Sequence, residues 1–176
     1  MFAPVSITLR DGRELLLRAV HAGDESLIQA FIVGLSIESR HRRFLLGLRA
    51  LPGDLLQRMV QADQNHDLAI VALFVENGSC EVAGLAQYAS AVANVADVAV
   101  VVGEQWRRAG LASHMLRELE RVATKAGIVS ANADILRENG AAIQLARKLG
   151  GGVHVAPGTA YSVRVFKPIA AEATRS

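Results

Sequence analysis

The chain has 176 residues, of which 51% are hydrophobic and 20% are charged, and its formal net charge at pH 7 is +2. This length and composition predict one globular domain with a full core, and they argue against disorder. The apolar runs are short and are broken by charged residues or glycine, so none is typical of a membrane span. The near balance of charge does not support nucleic-acid binding, although a local basic cluster could still attract an anion.

The N-terminus and the cysteine content predict a compartment. No basic segment followed by a long apolar stretch opens the sequence, so we expect no secretory signal. The single cysteine, Cys80, has no partner for an internal disulfide, which suits a reducing environment. We therefore expect a cytoplasmic protein.

The first part of the chain predicts a hairpin followed by three helices. The Asp-Gly pair at 11–12 in LRDGRELLLR suits the positive φ angles of a tight turn between two strands. Asp24 is placed to cap a first helix with one apolar face, and Ser36 is placed to cap a second helix, SIESRHRRF. A third helix is predicted to begin near residues 53–54.

The remainder of the chain predicts strands separated by two helices. Three strands are expected in DLAIVALFV, CEVAGLAQYAS and VADVAVVV, with the Asn-Gly pair at 77–78 as the turn between the first two. A helix with one apolar stripe follows Gly110 and ends at Gly127. A strand in IVSANADI, a helix over about 138–149, and two strands in GVHV and YSVRVF complete the order.

This order of elements predicts an α/β fold whose sheet has strands of mixed direction rather than a regular doubly wound one. We expect a single domain over residues 1–167. Residues 168–176 have little to bury, and we predict a mobile C-terminal tail there.

The stretch VAVVVGEQWRRAGLASHML, at 98–116, carries the most informative functional pattern. An apolar strand ends in a turn, and the first N–H groups of the helix that follows have no internal partner, so they favour an anion. Small residues at Gly110 and Ala112 would let a phosphate approach the backbone, while Arg107 and Arg108 add charged donors. A plain strand-to-helix connection with solvated arginines is equally compatible with this pattern alone.

Other phosphate motifs are missing from the sequence. It contains no G-x-x-x-x-G-K-[ST], and no G-x-G-x-x-G follows a strand, so neither a Walker-type nucleotide hydrolase nor a dinucleotide-binding fold is supported. No cluster of histidines and cysteines has metal-ligand spacing, and we predict no metal site.

Three segments share motifs with one known family. RRAGLA, at 107–112, satisfies the pattern [QR]-x-x-G-x-[GA] after an apolar strand, and LRENGAAIQLARKLGG is similar to an E-N-x-x-A…L-G-F element. These motifs resemble those of the GNAT superfamily of acyl-CoA-dependent N-acetyltransferases. The opening LRDGRELLLRAVHAGDESLIQAFIVGLSIESRHRRF is similar to the start of the GNAT domain in bacterial protein lysine acetyltransferases. Together the segments cover most of the chain in the order that the family has.

The resemblance implies a fold and an activity. It implies a mostly antiparallel twisted sheet of about six to seven strands flanked by helices, with one splayed strand pair for the cofactor. It also implies direct transfer of an acetyl group from acetyl-CoA to a primary amine, with a protein lysine as the leading acceptor, and no nucleic-acid or membrane partner. A homodimer, a non-catalytic CoA-binding sensor or interaction domain, and a small-molecule amine acetyltransferase stay open.

The family pattern assigns the cofactor contacts. It implies that pantetheine pairs with the backbone of the valine run and that N–H groups of the turn hold the pyrophosphate. Asn139 matches a family asparagine that contacts the cofactor, and its position also fits a helix N-cap. The implied cofactor-binding residues are Val100, Val101, Val102, Arg107, Arg108, Ala109, Gly110, Leu111, Ala112 and Asn139.

Asp97 occupies the position at which similar protein acetyltransferases carry a glutamate, so the resemblance implies that it is the catalytic base. A free lysine amine has a pKa of about 10.4 and must lose a proton before it can attack a thioester. Partial burial at the edge of the apolar strand would make Asp97 a better base, and its short side chain favours a bridging water. The alternative is that Asp97 is an ordinary polar residue at the end of a strand and has no catalytic role.

Two positions depart from the family pattern. Ala146 stands where many members have a tyrosine that protonates the departing thiolate, and Gly151 stands where they have a phenylalanine. Ser113 and Tyr161 are alternative acids, but nothing in the sequence selects either.

Overall fold

The structure is a computed structural model, and it describes residues 2–45, 48–63, 66–92, 94–155 and 160–169. This part of the chain forms eight strands and five helices. The strands are β1 (Val5–Thr8), β2 (Glu14–Ala19), β3 (Asp67–Glu76), β4 (Ser79–Val92), β5 (Val95–Val102), β6 (Ser130–Leu136), β7 (Gly152–Val155) and β8 (Ser162–Pro168). The helices are α1 (Glu25–Gly34), α2 (Ile37–Phe44), α3 (Gly53–Val60), α4 (Leu111–Lys125) and α5 (Gly140–Lys148).

The strands form one mixed sheet in the order β1-β2-β3-β4-β5-β6-β8-β7. Neighbouring strands are antiparallel except for β5 and β6, which are parallel. The mixed and mostly antiparallel sheet that was expected is therefore confirmed. The resemblance implies about six to seven strands, whereas the sheet has eight, which is the number in the predicted order of elements. The short edge strands β1 and β7, of 4 residues each, both pair with their neighbours.

Helices cover both faces of the sheet. On one face, α4 buries the predicted stripe of Leu111, Met115 and Leu119 against the inward residues of β1 to β5. On the other face, α1 and α3 form a second core, to which α1 contributes the fully buried Ile28 and Ile32. The domain is thus a three-layer α/β arrangement, and the sheet separates the two cores.

Successive residues of β5 face opposite layers, as the pleat of a strand requires. Val98, Val100 and Val102 pack toward α4, whereas Val101 is buried in the core under α1 and α3. Asp97 has the same parity as Val101 and therefore lies on the α1–α3 face. It is exposed there.

One of the two predicted helix caps is confirmed. Ser36 Oγ accepts the N–H of Ser39 at 3.1 Å at the start of α2. Asp24 precedes α1 but does not cap it through its side chain. Its carboxylate instead accepts hydrogen bonds from two nitrogens of the Arg18 guanidinium, at 2.6 and 2.8 Å, and from the backbone N–H of His21, at 2.9 Å. Burial would raise the pKa of Asp24, but the hydrogen bonds from Arg18 and His21 outweigh it and hold the pKa below its ordinary value.

The packed domain extends beyond the predicted boundary at residue 167. Pro168 is the last residue of β8, and Ile169 is buried and donates its N–H to Val129 O at 2.8 Å. These two residues belong to the domain, contrary to the prediction of a tail from 168. The rest of the predicted tail, 170–176, lies outside the described residues.

Gly84 lets α4 approach the sheet closely. A Cβ at this position would lie 3.1 Å from Met115 Sδ and 3.1 Å from the backbone oxygen of Val101. The absence of a side chain therefore sets the distance between β4 and the N-terminal half of α4.

We predict that Gly84→Ala lowers the free energy of unfolding by about 1–3 kcal/mol, because the added methyl group overpacks the contact between α4 and the sheet. Gly34→Ala is the matched control, since a Cβ there would meet nothing within 4 Å. Urea denaturation, monitored by circular dichroism, measures the free energy of unfolding of both variants. Equal stability of the two variants would show that the contact at Gly84 does not limit the packing.

Candidate functional site

Strands β5 and β6 separate after a short paired segment. Val95–Asp97 pairs with Ser130–Asn132, and no later residue of β5 pairs with β6. Beyond this point β5 stays paired with β4 as far as Val102, and β6 stays paired with β8 as far as Leu136. A gap therefore opens between two strands that are each held on their outer side, which confirms the expected splayed pair. We call its last pair, Asp97 and Asn132, the vertex.

The backbone of β5 beyond the vertex presents polar groups to this gap. The Gly103 N–H donates to β4 at 2.9 Å, so Gly103 is directed away from the gap. Backbone groups alternate in direction along a strand, so Val101 also points to β4, while Val98, Val100 and Val102 point into the gap. We call these three residues the open edge. Of the three predicted pantetheine contacts, Val100 and Val102 face the gap, and the backbone groups of Val101 do not.

The phosphate turn, Arg107–Ala112, connects this strand to α4. Arg108 and Gly110 have positive φ angles of 61° and 94°, and Gly110 is the N-cap of α4. Within the described residues, the N–H groups of residues 108–113 donate to no protein acceptor. A run of free N–H groups at a helix N-terminus is a site for an anion, which agrees with the predicted pyrophosphate contacts.

Trp106 fixes the position of the turn. Its indole is buried, donates Nε1–H to the Glu81 carboxylate at 3.1 Å, and lies 5.0 Å from the Phe74 ring. The guanidinium carbon of Arg13 lies 4.1 Å from the indole ring centre, in a cation–π contact. The chain therefore enters the phosphate turn from an anchored residue.

Arg107 contacts both α2 and the end of the open edge, where its Nε donates to Val102 O at 3.4 Å. Its Nη2 donates to Ser39 Oγ at 2.6 Å and lies 3.4 Å from Glu104 Oε1. Glu104 also accepts the Ser39 hydroxyl and the Ser36 N–H. Burial would raise the pKa of Glu104, but these hydrogen bonds outweigh it and lower the pKa to about 2. A phosphate contact by the Arg107 guanidinium, which the sequence predicts, would require these contacts to break.

Arg10 is a cation at the phosphate turn that the sequence analysis missed. Its N–H donates to Ala109 O at 3.1 Å, and its Nε lies 3.7 Å from the Cβ position of Gly110. Arg10 comes from the connection between β1 and β2, so no local pattern links it to the turn. Its side chain is placed to add positive charge beside the free N–H groups.

Asn139 is the N-cap of α5, as one of its two predicted roles requires. Its Oδ1 accepts the Ala142 N–H at 3.2 Å. Its side-chain NH₂ group makes no hydrogen bond among the described residues. The cap therefore leaves both amide hydrogens available for the predicted cofactor contact.

Asp97 lies at the vertex, in one row across the sheet with Asp67 of β3, Asn132 of β6 and Phe166 of β8. The partial burial expected for Asp97 is not found, because the residue is exposed. Neither Asp67 nor Asp97 forms an ion pair in the part of the chain that the structure describes. Both carboxylates therefore contribute negative charge to this part of the α1–α3 face.

Arg164 lies on the same face, close to the vertex. Arg164 donates to the Asp134 carboxylate through Nε at 2.9 Å and through Nη2 at 2.8 Å. This hydrogen bonding and the charge of Asp134 raise the pKa of Arg164, with a further contribution from the charge of Asp97. Because Arg164 is bound to Asp134, it does not cancel the charges of Asp67 and Asp97.

A cavity of about 100 Å³ lies beside the vertex on the α4 face. Ala146 and Gly151, the two departures from the family pattern, both line it. The alternative acids lie elsewhere: Ser113 is in the first turn of α4, and Tyr161 is exposed just before β8. None of these positions supplies a side-chain acid to the cavity.

The described ranges contain no group of three or more His, Cys, Asp or Glu residues that could hold a metal ion. Within the same ranges, no helix has the length and apolar character that a membrane span needs.

The geometry described so far, a splayed strand pair that leads to free N–H groups at a helix N-terminus, is that of an acyl-CoA-dependent acetyltransferase domain. The family model described as "Acetyltransferase (GNAT) family" matches residues 37–151, and the chain belongs to this family. Members of the family generally use acetyl-CoA. The resemblance seen in the motifs is therefore confirmed.

Three similar proteins support this assignment. The chain is 31% identical to Acetyltransferase PA5475 of Pseudomonas aeruginosa over 121 residues, which span 68% of this chain and 65% of that protein. The fold is similar to the GNAT domain of S. lividans PAT, with a TM-score of 0.84 and 24% identity over 94% of this chain and 96% of that domain. It is also similar to a cAMP-binding acyltransferase from Mycobacterium smegmatis, with a TM-score of 0.65 and 24% identity over 96% of this chain and 48% of that one. The two structural likenesses establish the fold alone.

We predict that Arg10→Ala weakens the binding of CoA by about tenfold, because a hydrogen bond to a charged group contributes about 1.5–3 kcal/mol and Arg10 is partly screened by solvent. Arg58→Ala removes the same charge from the exposed side of α3 and is the control. Isothermal titration calorimetry at two salt concentrations measures the CoA affinity of both variants. Identical affinities for the two variants would exclude Arg10 from the cofactor site.

Proposed function

We propose that this protein transfers the acetyl group of acetyl-CoA to a primary amine, and that the amine is a lysine side chain of another protein. The observation that carries the proposal is the gap between β5 and β6. Its open edge runs from the phosphate turn to the vertex, where Asp97 is exposed. A pantetheine chain bound along this edge, with its pyrophosphate at the phosphate turn, would bring the thioester to Asp97, the proposed base.

The residues of the gap fit the parts of acyl-CoA. The free N–H groups of 108–113, together with Arg10, suit the pyrophosphate. The backbone of the open edge suits the amide groups of pantetheine, and the Asn139 side chain keeps two donors free. Bound acetyl-CoA would supply an activated thioester to this site.

Asp97 is proposed to take the proton from the amine, directly or through a water molecule. A protonated lysine has no lone pair with which to attack a carbonyl carbon, so a base is needed at neutral pH. The exposure of Asp97 supports a macromolecular acceptor, since a long side chain can reach the carboxylate from solvent. The negative charge of Asp67 and Asp97 supports a cationic acceptor in the same place.

The reaction forms a bond between the amine nitrogen and the acetyl carbon and breaks the bond from that carbon to sulfur. The lysine ammonium loses one proton before it attacks and a second as the amide forms; these protons go to Asp97 or water, and the sulfur leaves as a thiolate. Since a thiol has a pKa of about 8.5, the thiolate can leave without a dedicated acid. This agrees with the presence of Ala146 in place of the family tyrosine. We also propose that the reaction takes place in the cytoplasm, which the single Cys80 supports.

We predict that Asp97→Asn lowers kcat by about 10²–10⁴-fold, the usual contribution of a general base, while CoA affinity stays unchanged. Asp54→Asn is the control, because Asp54 is exposed on α3 and pairs only with Arg58. Thiol release from acetyl-CoA, measured against pH with a panel of lysine peptides, polyamines and aminoglycosides, tests both variants and the acceptor.

Each outcome of this assay separates one alternative. A higher kcat/KM for polyamines or aminoglycosides than for lysine peptides would favour a small-molecule acetyltransferase. Saturable binding of acetyl-CoA with no thiol release from any amine would favour a sensor. An Asp97→Asn variant that keeps the parent's rate and pH profile would remove Asp97 as the base.

A further inference from the structure

We infer that the cavity beside the vertex binds the acyl chain of the donor, and that acyl-CoA esters of about four carbons bind and react better than acetyl-CoA. This inference rests on the proposed acyl-CoA site and deepens it by naming the class of donor. The cavity is called the alanine cavity below, because Ala96, Ala123, Ala131, Ala133 and Ala146 all line it.

The alanine cavity lies where the end of a bound pantetheine chain is expected. Ala96 and Ala131 are a pair of the short parallel segment, one residue before the vertex. Val98, which also lines the cavity, is the first residue of the open edge. The open edge from Val102 to Val98 is about 13 Å long, at about 3.3 Å per residue. A chain that starts at the phosphate turn and follows this edge therefore ends beside the cavity.

The walls of the alanine cavity suit a hydrocarbon chain. They are almost wholly apolar, and Leu116, Leu119 and Leu149 close the sides that the alanines leave. The two charged residues at the wall, Glu120 and Lys167, form an ion pair with each other. An acyl chain in the cavity would therefore meet no uncompensated charge, and it would remove apolar surface from contact with water.

Small residues keep the alanine cavity open. At Gly151, a Cβ would lie 2.7 Å from Val165 Cγ1 and 3.0 Å from the backbone oxygen of Ala146, so no side chain fits without movement. Ala146, on α5, faces the same space and carries only a methyl group. A larger side chain at Ala146 would occupy the volume that the inference assigns to the acyl chain.

The volume sets the length of the chain. An apolar cavity of about 150 Å³ is known to bind benzene, which has six carbon atoms. By proportion, about 100 Å³ holds about four carbon atoms. We therefore expect the best fit near butyryl and pentanoyl chains, and a loss of fit for octanoyl.

Isothermal titration calorimetry with CoA and its acetyl, propionyl, butyryl, hexanoyl and octanoyl esters tests the inference. We expect affinity to rise from acetyl to butyryl by about fourfold per added methylene, because burial of one methylene contributes about that factor. It should fall again for octanoyl. The kcat/KM for thiol release with one fixed lysine peptide should follow the same order.

Ala146→Phe is expected to remove the preference for butyryl-CoA, read as the ratio of its affinity to that of acetyl-CoA, because the added ring fills the cavity. Gln144→Phe places the same side chain on the exposed side of α5 and is the matched control. Ala133→Leu fills the cavity from β6 and gives a second test if Ala146→Phe does not fold, which thermal unfolding reports.

The outcomes separate this inference from the proposed function. If acetyl-CoA binds but longer esters bind no better, and Ala146→Phe leaves the ratio of affinities unchanged, the inference is wrong and the acyl-CoA site stands. If neither CoA nor any ester binds, the proposed function fails, and the inference fails with it.

Discussion

The site depends on one constraint, which is the loss of backbone pairing between β5 and β6 beyond the vertex. A strand inside a sheet normally satisfies its polar groups on both sides, and unpaired groups are unfavourable unless water or a ligand takes them. Here β5 keeps its pairing with β4, so the open edge is held in a fixed, extended shape. Asp97 lies at the vertex because the pairing between β5 and β6 ends there, and the alanine cavity lies beside this point.

The phosphate turn is held by contacts from three sides, so its N–H groups are oriented before any anion arrives. Trp106 anchors it to the sheet, Arg10 joins it to the β1–β2 connection, and Arg107 joins it to α2. Because Arg107 is already paired with Ser39 and Glu104, the proposed binding of the pyrophosphate would rest on the backbone N–H groups more than on this arginine. A preorganised set of N–H groups loses little entropy when it binds.

The sequence predicts the positions of the strands and helices well, but it predicts the contacts between them less well. The run VADVAVVV matches β5 residue for residue, and the start of α4 follows from Gly110, whose positive φ ends the turn. The pattern of β5 does not tell where its pairing with β6 stops, since that depends on both strands. The exposure of Asp97 depends on how far α1 and α3 extend over the sheet, and the position of Arg10 depends on the packing of a distant hairpin.

On the proposed function, the donor and the acceptor would bind on opposite faces of the sheet. The alanine cavity opens on the α4 face, while Asp97 and its negative surroundings lie on the α1–α3 face. An acyl chain in the cavity would therefore extend away from the approaching amine and would not crowd it. Ala146 lines the cavity at the position where many family members carry a tyrosine, so on our proposal the missing side-chain acid and the space for a longer acyl chain would have a single structural cause. If the donor and the acceptor do meet across the gap in this way, donor length would depend on residues of the α4 face and acceptor type on residues of the α1–α3 face, so the two could change independently.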